Sequence, residues 1–580
     1  MDLLQSAKAH DRHSQSNQSN TGTFTPRAAM SEDASSYPPI EPTNFDLIVV
    51  GTGLPGSVIA AAASANGKTV LHLDPNPFYG SHFASLPLHD LSAFLNPHFT
   101  PPPSAASDGD DHTPVTLIQR PLYSHVGISN HAPEEFTEEY SRKFNIDVCG
   151  PRVLFCADKS IDLMLRSGAN QYMEFKSIEA SFVYDESSRR LVSVPDSRAA
   201  IFKDKSLGLM EKNQLMRFFK LVQQHLAGDD GGVENSRISE EDLESPFVDF
   251  LTKMRLPPKI KSIILYAIAM ADYDQEDTQI CEDVLTTKDG VDSLALYNSS
   301  VGRFPNALGA LVYPIYGQGE LPQAFSRRAA VKGCIHVLRM PVIALLMDKC
   351  TEHYKGVRLS SGQDLFCNQL VLDPSFTVQL PLASSPRDPL RESLQVLGLR
   401  DVKRKVARGI CITRSSLRPD SSNFLVVYPP RSLYPEQVTS IRALQIGSGL
   451  AVCPSGMFVL YFSTLCHDAD KGKELLHAAI DALLMLPESG HPESNTTVQS
   501  DIAAEVKPTL LWKALYIQDL TMDQLESISY APIPDGNLNY NDLLDETLKL
   551  FQKIYPNEDV FPDAVSPENP EDDYESSLDS

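Results

Sequence analysis

The nine cysteines form no CxxC pair, so the commonest zinc-ligand spacing is missing and a disulfide scaffold is disfavoured. The expectation is a reduced, cytosolic protein. Basic charge is also in deficit: 50 Lys and Arg stand against 75 Asp and Glu, a net charge of -25. A nucleic-acid surface needs a basic stripe, so that class is excluded, whereas a basic protein partner remains compatible. No apolar run of about 18 residues escapes glycine or polar interruption, and no transmembrane helix is expected. The nearest approach, Leu47 to Ala65, owes its glycines to another pattern. The N-terminus has no signal-peptide apolar region, and any membrane contact should be peripheral. No internal repeat is visible.

What is present is long enough for two or more domains: 580 residues, 42% of them hydrophobic. Residues 1–44 are rich in Ser, Asn, Pro and Thr and read as a disordered tail. "PPPSAASDGDD" (101–111) reads as a surface insertion, 227–240 as a polar loop, and 563–580 as a disordered acidic tail. Strand-like runs occupy 45–50, 69–73, 178–184 and 365–372. Helical periodicity marks 204–226, through Leu215, Phe218, Phe219, Val222 and Leu226, and 246–271, through Ile260, Ile263, Ile264, Ala267 and Ile268. The expected architecture is an α/β domain I at 45–200 and 300–562, interrupted by a mostly helical domain II at about 200–300.

Domain I opens with "FDLIVVGTGLPGSVIAAAASANGKTVLHLDPNPFYG". A strand, a glycine turn, a small-residue helix and a second strand ending on Asp74 make a dinucleotide-binding unit. Gly51 permits the tight turn, Gly53 the approach of a pyrophosphate and Gly56 close helix–strand packing, while Asp74 could accept from a ribose hydroxyl. A cofactor and a purely structural turn are both open readings, and the second is favoured. Pro75 and Pro77 stiffen the following turn, and Phe78 and Tyr79 add bulk where adenosine would lie.

The segment "LDPNPFYG" after "VVGTGLPGSVIA" resembles the superfamily of Rab GDP-dissociation inhibitors and Rab escort proteins. So do "YMEFKSIEASFVY" (172–184), "SLGLMEKNQLMRFFKLV" (206–222) and, most strongly, "YPIYGQGELPQAFSRRAAVKG" (313–333). Together they span much of 45–375 in the family's order. The resemblance implies a flavoprotein-like, FAD/NAD(P)-binding-like domain I with no cofactor and no metal. It also implies binding of GDP-bound Rab GTPases, and a helical domain II that receives a geranylgeranyl lipid.

Carried over by residue, Tyr79, Glu320 and Arg327 match the family's Rab-binding platform, and Arg303 of "VGRFP" joins them. Glu320 and Arg327 are seven residues apart, two helical turns less about 20°, so they share one side of a short helix. That helix should run from Leu321 to Lys332, with Pro322 in its first turn and Gly333 as a left-handed cap. Without the resemblance this pair reads as a solvated helix face. Ser81 stands where the family often has a second glycine, and Ala324 where it usually has one. Leu215, Phe219, Val222, Ile263, Ile264 and Ile268 are candidates for the lipid groove and transferase contact, although core packing is the commoner role of such a stripe.

Two features resemble the escort branch. One is the glutamine of "YGQGELPQ". The other is the C-terminus, where Leu544, Leu548, Phe551 and Tyr555 would line an amphipathic helix before the acidic tail. The chain is therefore read as an escort of fungal type, a non-catalytic accessory of the Rab geranylgeranyltransferase heterodimer. The alternatives are a dissociation inhibitor and, remotely, an FAD-dependent oxidoreductase.

Overall fold

The structure is a computed structural model describing residues 38–97, 111–133, 136, 139–195, 208–227, 237–277, 281–349, 353–378, 396–397, 404–486, 507–521, 524–525 and 527–562. Most of the N-terminal tail, the 101–111 insertion and the 227–240 loop, and all of the acidic tail, lie outside these residues.

The opening unit forms as the sequence implies. Strand β1 (Asn44–Val50) turns at the glycines into helix α1 (Leu54–Ala65) and returns as β2 (Val70–Asp74). Leu47 to Val50 are all buried, as expected of a parallel strand covered on both faces. The small side chains of α1 let its neighbours approach closely, and every residue except Ala65 is buried. Strands Ile335–Leu338, β2, β1 and Asp364–Leu372 run parallel. Tyr354–Leu359, Val342–Asp348, His112–Gln119 and Phe376–Val378 extend the sheet antiparallel. Ile335–Leu338 is its outermost strand on the parallel side.

A second, eight-stranded sheet was foreshadowed in the sequence only by the run at 178–184. Its order is Arg190–Ser193, Ala180–Asp185, Phe424–Tyr428, Ile441–Gly447, Phe458–Cys466, Lys405–Thr413, Leu510–Asp519 and Tyr123–Asn130. Ile410, Ile412, Leu425 and Val427 enter one core, and Cys411, Phe424 and Val426 the opposite one. Residues of the helical segment pack on the first face, and helix Ala469–Leu483 covers the second.

The helical segment contains Leu209–Leu226, Glu240–Glu244, Phe247–Lys253, Pro258–Ser262 and Thr287–Ser300. The first begins at Leu209, where the Glu211 carboxylate accepts from the Gly208 amide at 2.7 Å. The helical pattern over 246–271 is carried by short pieces, with the restart falling at the helix-starting pair Pro257-Pro258. Arg255 adopts φ +58°, Pro257 and Pro258 restart the helix, Ile263–Ile268 widens into a π-helical turn, and Met270 at φ +57° ends it. The chain then fastens to the second sheet: Ser440 N donates to the Asp272 carbonyl at 2.7 Å, and Arg442 pairs with the Asp272 carboxylate at 2.7 Å.

Two fully buried guanidiniums join the parts. Arg152 donates to the carbonyls of Asn539 (2.8 Å) and Asp535 (3.0 Å) and to the Asp535 carboxylate. Arg408 donates to Gln518 Oε1 (2.7 Å) and to the carbonyls of Cys149, Gly150 and Asp535 (2.9, 2.9 and 2.8 Å). Both hold the segment leading into the C-terminal helix, Asn541–Ile554, whose buried face includes Leu544 and Phe551. Arg408→Leu leaves Gln518 Oε1 and the carbonyls of Cys149 and Gly150 without this donor inside the protein, while the Asp535 carbonyl keeps Arg152. It is expected to cost about 3 kcal/mol or more of unfolding free energy, read from guanidinium denaturation.

Candidate functional site

The glycine turn is filled by its own chain. Gly51 has φ +98°, and a Cβ there would lie 2.7 Å from Asp373 Cβ; a Cβ on Gly56 would lie 2.7 Å from the Gly51 carbonyl. A Cβ on Gly53, where a pyrophosphate would approach, would meet the Phe83 ring at 3.3 Å. Asp74 Oδ2 accepts from Thr52 N (2.7 Å) and Thr52 Oγ1 (2.6 Å), and its Oδ1 accepts from Asn76 N (2.8 Å) and Nδ2 (2.9 Å). Burial pushes the Asp74 carboxyl above its usual range, against these hydrogen bonds. No part of it is left for a ribose, since it is fully buried.

Asp373 places a second carboxylate at the turn. It accepts from Ser81 Oγ (3.0 Å), Ser375 N (3.0 Å) and Ser375 Oγ (2.6 Å), and His82 Nε2 stands 3.4 Å away. Burial raises its pKa, but the facing His82 and the serine hydrogen bonds outweigh that and hold it below the usual range. A dinucleotide pyrophosphate would meet this carboxylate and the Phe83 ring, so the residues do not fit the group. The obstruction differs from that expected. Phe78 turns to Phe94, ring centroids 5.8 Å apart, and Tyr79 to His336, 5.9 Å apart; Phe83 and Asp373 do the filling.

The helix expected at 321–332 runs Glu320–Val331, and Gly333 follows it at φ +94°. It packs on α1, with Ser57 Oγ and Ser326 Oγ 3.2 Å apart and Ala324, Phe325 and Ala329 in the shared core. Arg327 faces solvent, and Glu320 is half-buried. Burial raises the Glu320 pKa while the Arg327 charge lowers it, so the two act on each other across one side. Tyr79 lies by the edge strand that follows this helix. Its ring packs on His336 of the edge strand, which also contacts His72 at 5.1 Å. Tyr316, at φ +75° and 57% exposed, stands beside this helix start and escapes a search for charged pairs. Its signal lay inside "YPIYGQGE", where a bulky residue must hold a left-handed turn.

Arg303 lies elsewhere on the surface. Its Nη2 is 3.5 Å from Asp162 Oδ1 on helix Lys159–Ser167. That helix ends near the Glu320–Val331 helix, because a Cβ on its capping Gly168 would lie 3.6 Å from the Arg328 guanidinium. Next to Arg303, an apolar cavity of 310 Å³ is lined by Ile161, Met164, Leu165, Met173, Phe304 and Ala307.

The lipid candidates are placed differently from the expectation. Leu215, Val222, Ile263, Ile264 and Ile268 are buried between the helical segment and the second sheet, and only Phe219 is half-buried. As they stand they form core, not an open groove, because the π-helical turn directs the whole Ile263–Ile268 run inward. Among the described residues, the exposed large apolar side chains of this segment are Leu209 (83%) and Met210 (77%), at the start of helix Leu209–Leu226, and Leu226 (44%) at its end. Among the described residues no cluster of His, Cys, Asp and Glu could hold a metal. From the filled turn, the purified protein is expected to lack stoichiometric flavin absorbance. A yellow cofactor released on denaturation would contradict this.

A family model described as "GDP dissociation inhibitor" matches residues 41–118 and 106–484. Rab escort protein 1 of Arabidopsis thaliana is 59% identical over 547 residues, covering 92% of this chain and 97% of that protein. The Drosophila melanogaster protein called Rab proteins geranylgeranyltransferase component A is 27% identical over 536 residues, 91% of each chain. A crystal structure of Rab GDI from Plasmodium falciparum superposes with a TM-score of 0.63 at 18% identity, covering 89% of this chain and 99% of that one, and agrees in fold. The fungal type expected from the sequence is not upheld, since the relative at 59% identity is a plant protein. The chain belongs to the GDP dissociation inhibitor family.

Proposed function

We propose that the chain is a Rab escort protein. It binds newly made, GDP-bound Rab GTPases and presents their C-terminal cysteines to the Rab geranylgeranyltransferase heterodimer. It then shields the attached geranylgeranyl lipid and delivers the Rab to a membrane. The observation that carries this reading is 59% identity along nearly the whole of both chains to a protein named as an escort. Its role is non-catalytic: the transferase supplies the chemistry, and this chain supplies binding, orientation and shelter from water.

The Rab contact is assigned to Tyr79, Glu320 and Arg327, with Arg303 extending it across helix Lys159–Ser167. A carboxylate and a guanidinium on one rigid helix can make charge-assisted hydrogen bonds to polar switch residues, and the helix loses little entropy on doing so. Domain I (45–200 and 300–562) is assigned to the Rab, and the helical domain II (200–300) to lipid and transferase. Within domain II the buried stripe would have to open to admit a lipid, and half-buried Phe219 is its outermost member. Among the described residues no helix is long and apolar enough to cross a membrane. The proposed location is the cytosol, with transient membrane contact.

A dissociation inhibitor that recycles prenylated Rab is the second reading, favoured by the matching family model's own description. Extraction of Rab from membranes does not separate the two. Mixing transferase, lipid donor and unprenylated Rab with and without this chain does: an escort stimulates lipid incorporation, and no stimulation sinks the escort reading. Leu209→Asp should leave Rab binding intact yet reduce that stimulation, now that Ile260 to Ile268 offers no exposed apolar residue to test. Arg327→Ala and Tyr79→Ala should each weaken Rab–GDP binding by about 2 kcal/mol, read by titration calorimetry, with the melting temperature nearly unchanged.

A further inference from the structure

Beneath the platform helix lies a buried polar cluster that no partner can touch. Asp147 is 1% exposed. Its Oδ1 accepts from Ser85 Oγ (2.6 Å) and from the Gln318 amide (2.9 Å), and its Oδ2 accepts from the Tyr313 hydroxyl. Ser85 Oγ in turn accepts from the Gly319 amide at 2.8 Å. Two successive amides just before Glu320, donors that a helix start leaves unpaired, are thus satisfied by one carboxylate and one hydroxyl. The turn is pressed onto these groups. A Cβ on Gly317, at φ +104°, would lie 2.5 Å from Ser85 Oγ and 2.8 Å from Asp147 Oδ1; one on Gly319 would lie 2.6 Å from Ser85 N.

Gln318 carries the connection outward. Its Nε2 donates to the Arg152 carbonyl at 2.7 Å, and its Oε1 accepts from the Tyr540 hydroxyl at 2.5 Å. Burial pushes the Asp147 carboxyl up to about 6, against the hydrogen bonds from Ser85, Tyr313 and Gln318. An acid kept at this cost in the interior, and used to hold one turn, needs a reason beyond packing.

We propose that Asp147 is a positioning residue for Rab recognition: by capping the Gln318 amide and fixing Ser85 on Gly319, it sets where the helix carrying Glu320 and Arg327 begins. This rests on the assignment of Glu320 and Arg327 to the Rab contact. Asp147 touches no Rab atom and acts through the helix.

The test measures the dissociation constant for a GDP-bound Rab with the full chain, at a temperature where every variant is folded by circular dichroism. Asp147→Ala should weaken binding about tenfold, because it leaves a buried amide without an acceptor. Asp147→Asn keeps an acceptor for Gln318 N and can donate to Tyr313, so it should stay within about threefold of wild type. Leu476→Ala opens a cavity under the second sheet, away from the platform, and should lower the melting temperature without changing Rab affinity. In an Arg327→Ala background, Asp147→Ala should add less than about threefold, since a positioning residue loses its effect once the group it positions is gone. Should Asp147→Ala not fold, Ser85→Ala, which removes the Gly319 acceptor, carries the same comparisons.

The proposal is overturned if Asp147→Ala binds like wild type, if Leu476→Ala weakens binding equally, or if the losses from Asp147→Ala and Arg327→Ala multiply. If Arg327→Ala itself binds normally, the platform assignment fails and this proposal with it. If Arg327→Ala is impaired and Asp147→Ala is not, only the positioning role fails.

Discussion

Asp535 is where the molecule is tied together. Its carbonyl accepts from both buried guanidiniums, Arg152 and Arg408, and its carboxylate pairs with Arg152. Burial works against the Arg152 charge, and Asp535 together with Cys149 and Tyr540 more than offsets it. Arg408 has no such carboxylate and is held by Gln518 and three carbonyls, and burial pulls its pKa down. A planar guanidinium can satisfy several carbonyls at fixed angles, which a flexible ammonium does less well. The same residues hold the loop 149–152, the second sheet through Gln518, and the segment before the C-terminal helix. Gln318 extends the tie to the start of the platform helix through the Arg152 carbonyl and Tyr540. Removing one donor therefore disturbs several elements at once.

The same logic accounts for a dinucleotide-type fold turned to another use. A cofactor groove works because backbone amides and an acid wait for a ligand. Here Thr52 and Asn76 occupy Asp74, Phe83 covers Gly53, and Asp373 crowds Gly51. With both Asp74 and Asp373 engaged by the chain itself, the unit is closed by its own residues. Its helix α1 supports the Glu320–Val331 helix, and its sheet ends in the Ile335–Leu338 strand against which Tyr79 rests. The outer edge then carries a carboxylate, Glu320, and a guanidinium, Arg327, on one helix face, the pair to which the Rab contact is proposed.

The parts legible in the sequence were those written in short-range chemistry. The glycine turn, α1 and β2 follow from residues 45–74 alone, because turn, helix and strand are specified within a few positions of each other. The helix carrying Glu320 and Arg327 was set by Pro322 and Gly333, and its shared face by a seven-residue spacing. The second sheet was not legible. Strands such as Phe424–Tyr428 are buried on both sides, so their apolar residues do not alternate with polar ones. The widening of Ile263–Ile268 into a π-helical turn was hidden as well, since its apolar spacing is close to helical.

By itself, the sequence determined the βαβ unit, the position of the charged helix and the family, all carried by local patterns and contiguous motifs. Tertiary structure alone decided what fills the glycine turn and what holds the platform in place. Asp373 reaches Ser81 across 292 residues, and Asp147 reaches the Gln318 amide across 171. No local periodicity records such pairings. They exist because a folded chain must supply partners for most of the polar groups it buries, and the nearest partner in space is set by how the two sheets and the helical segment pack.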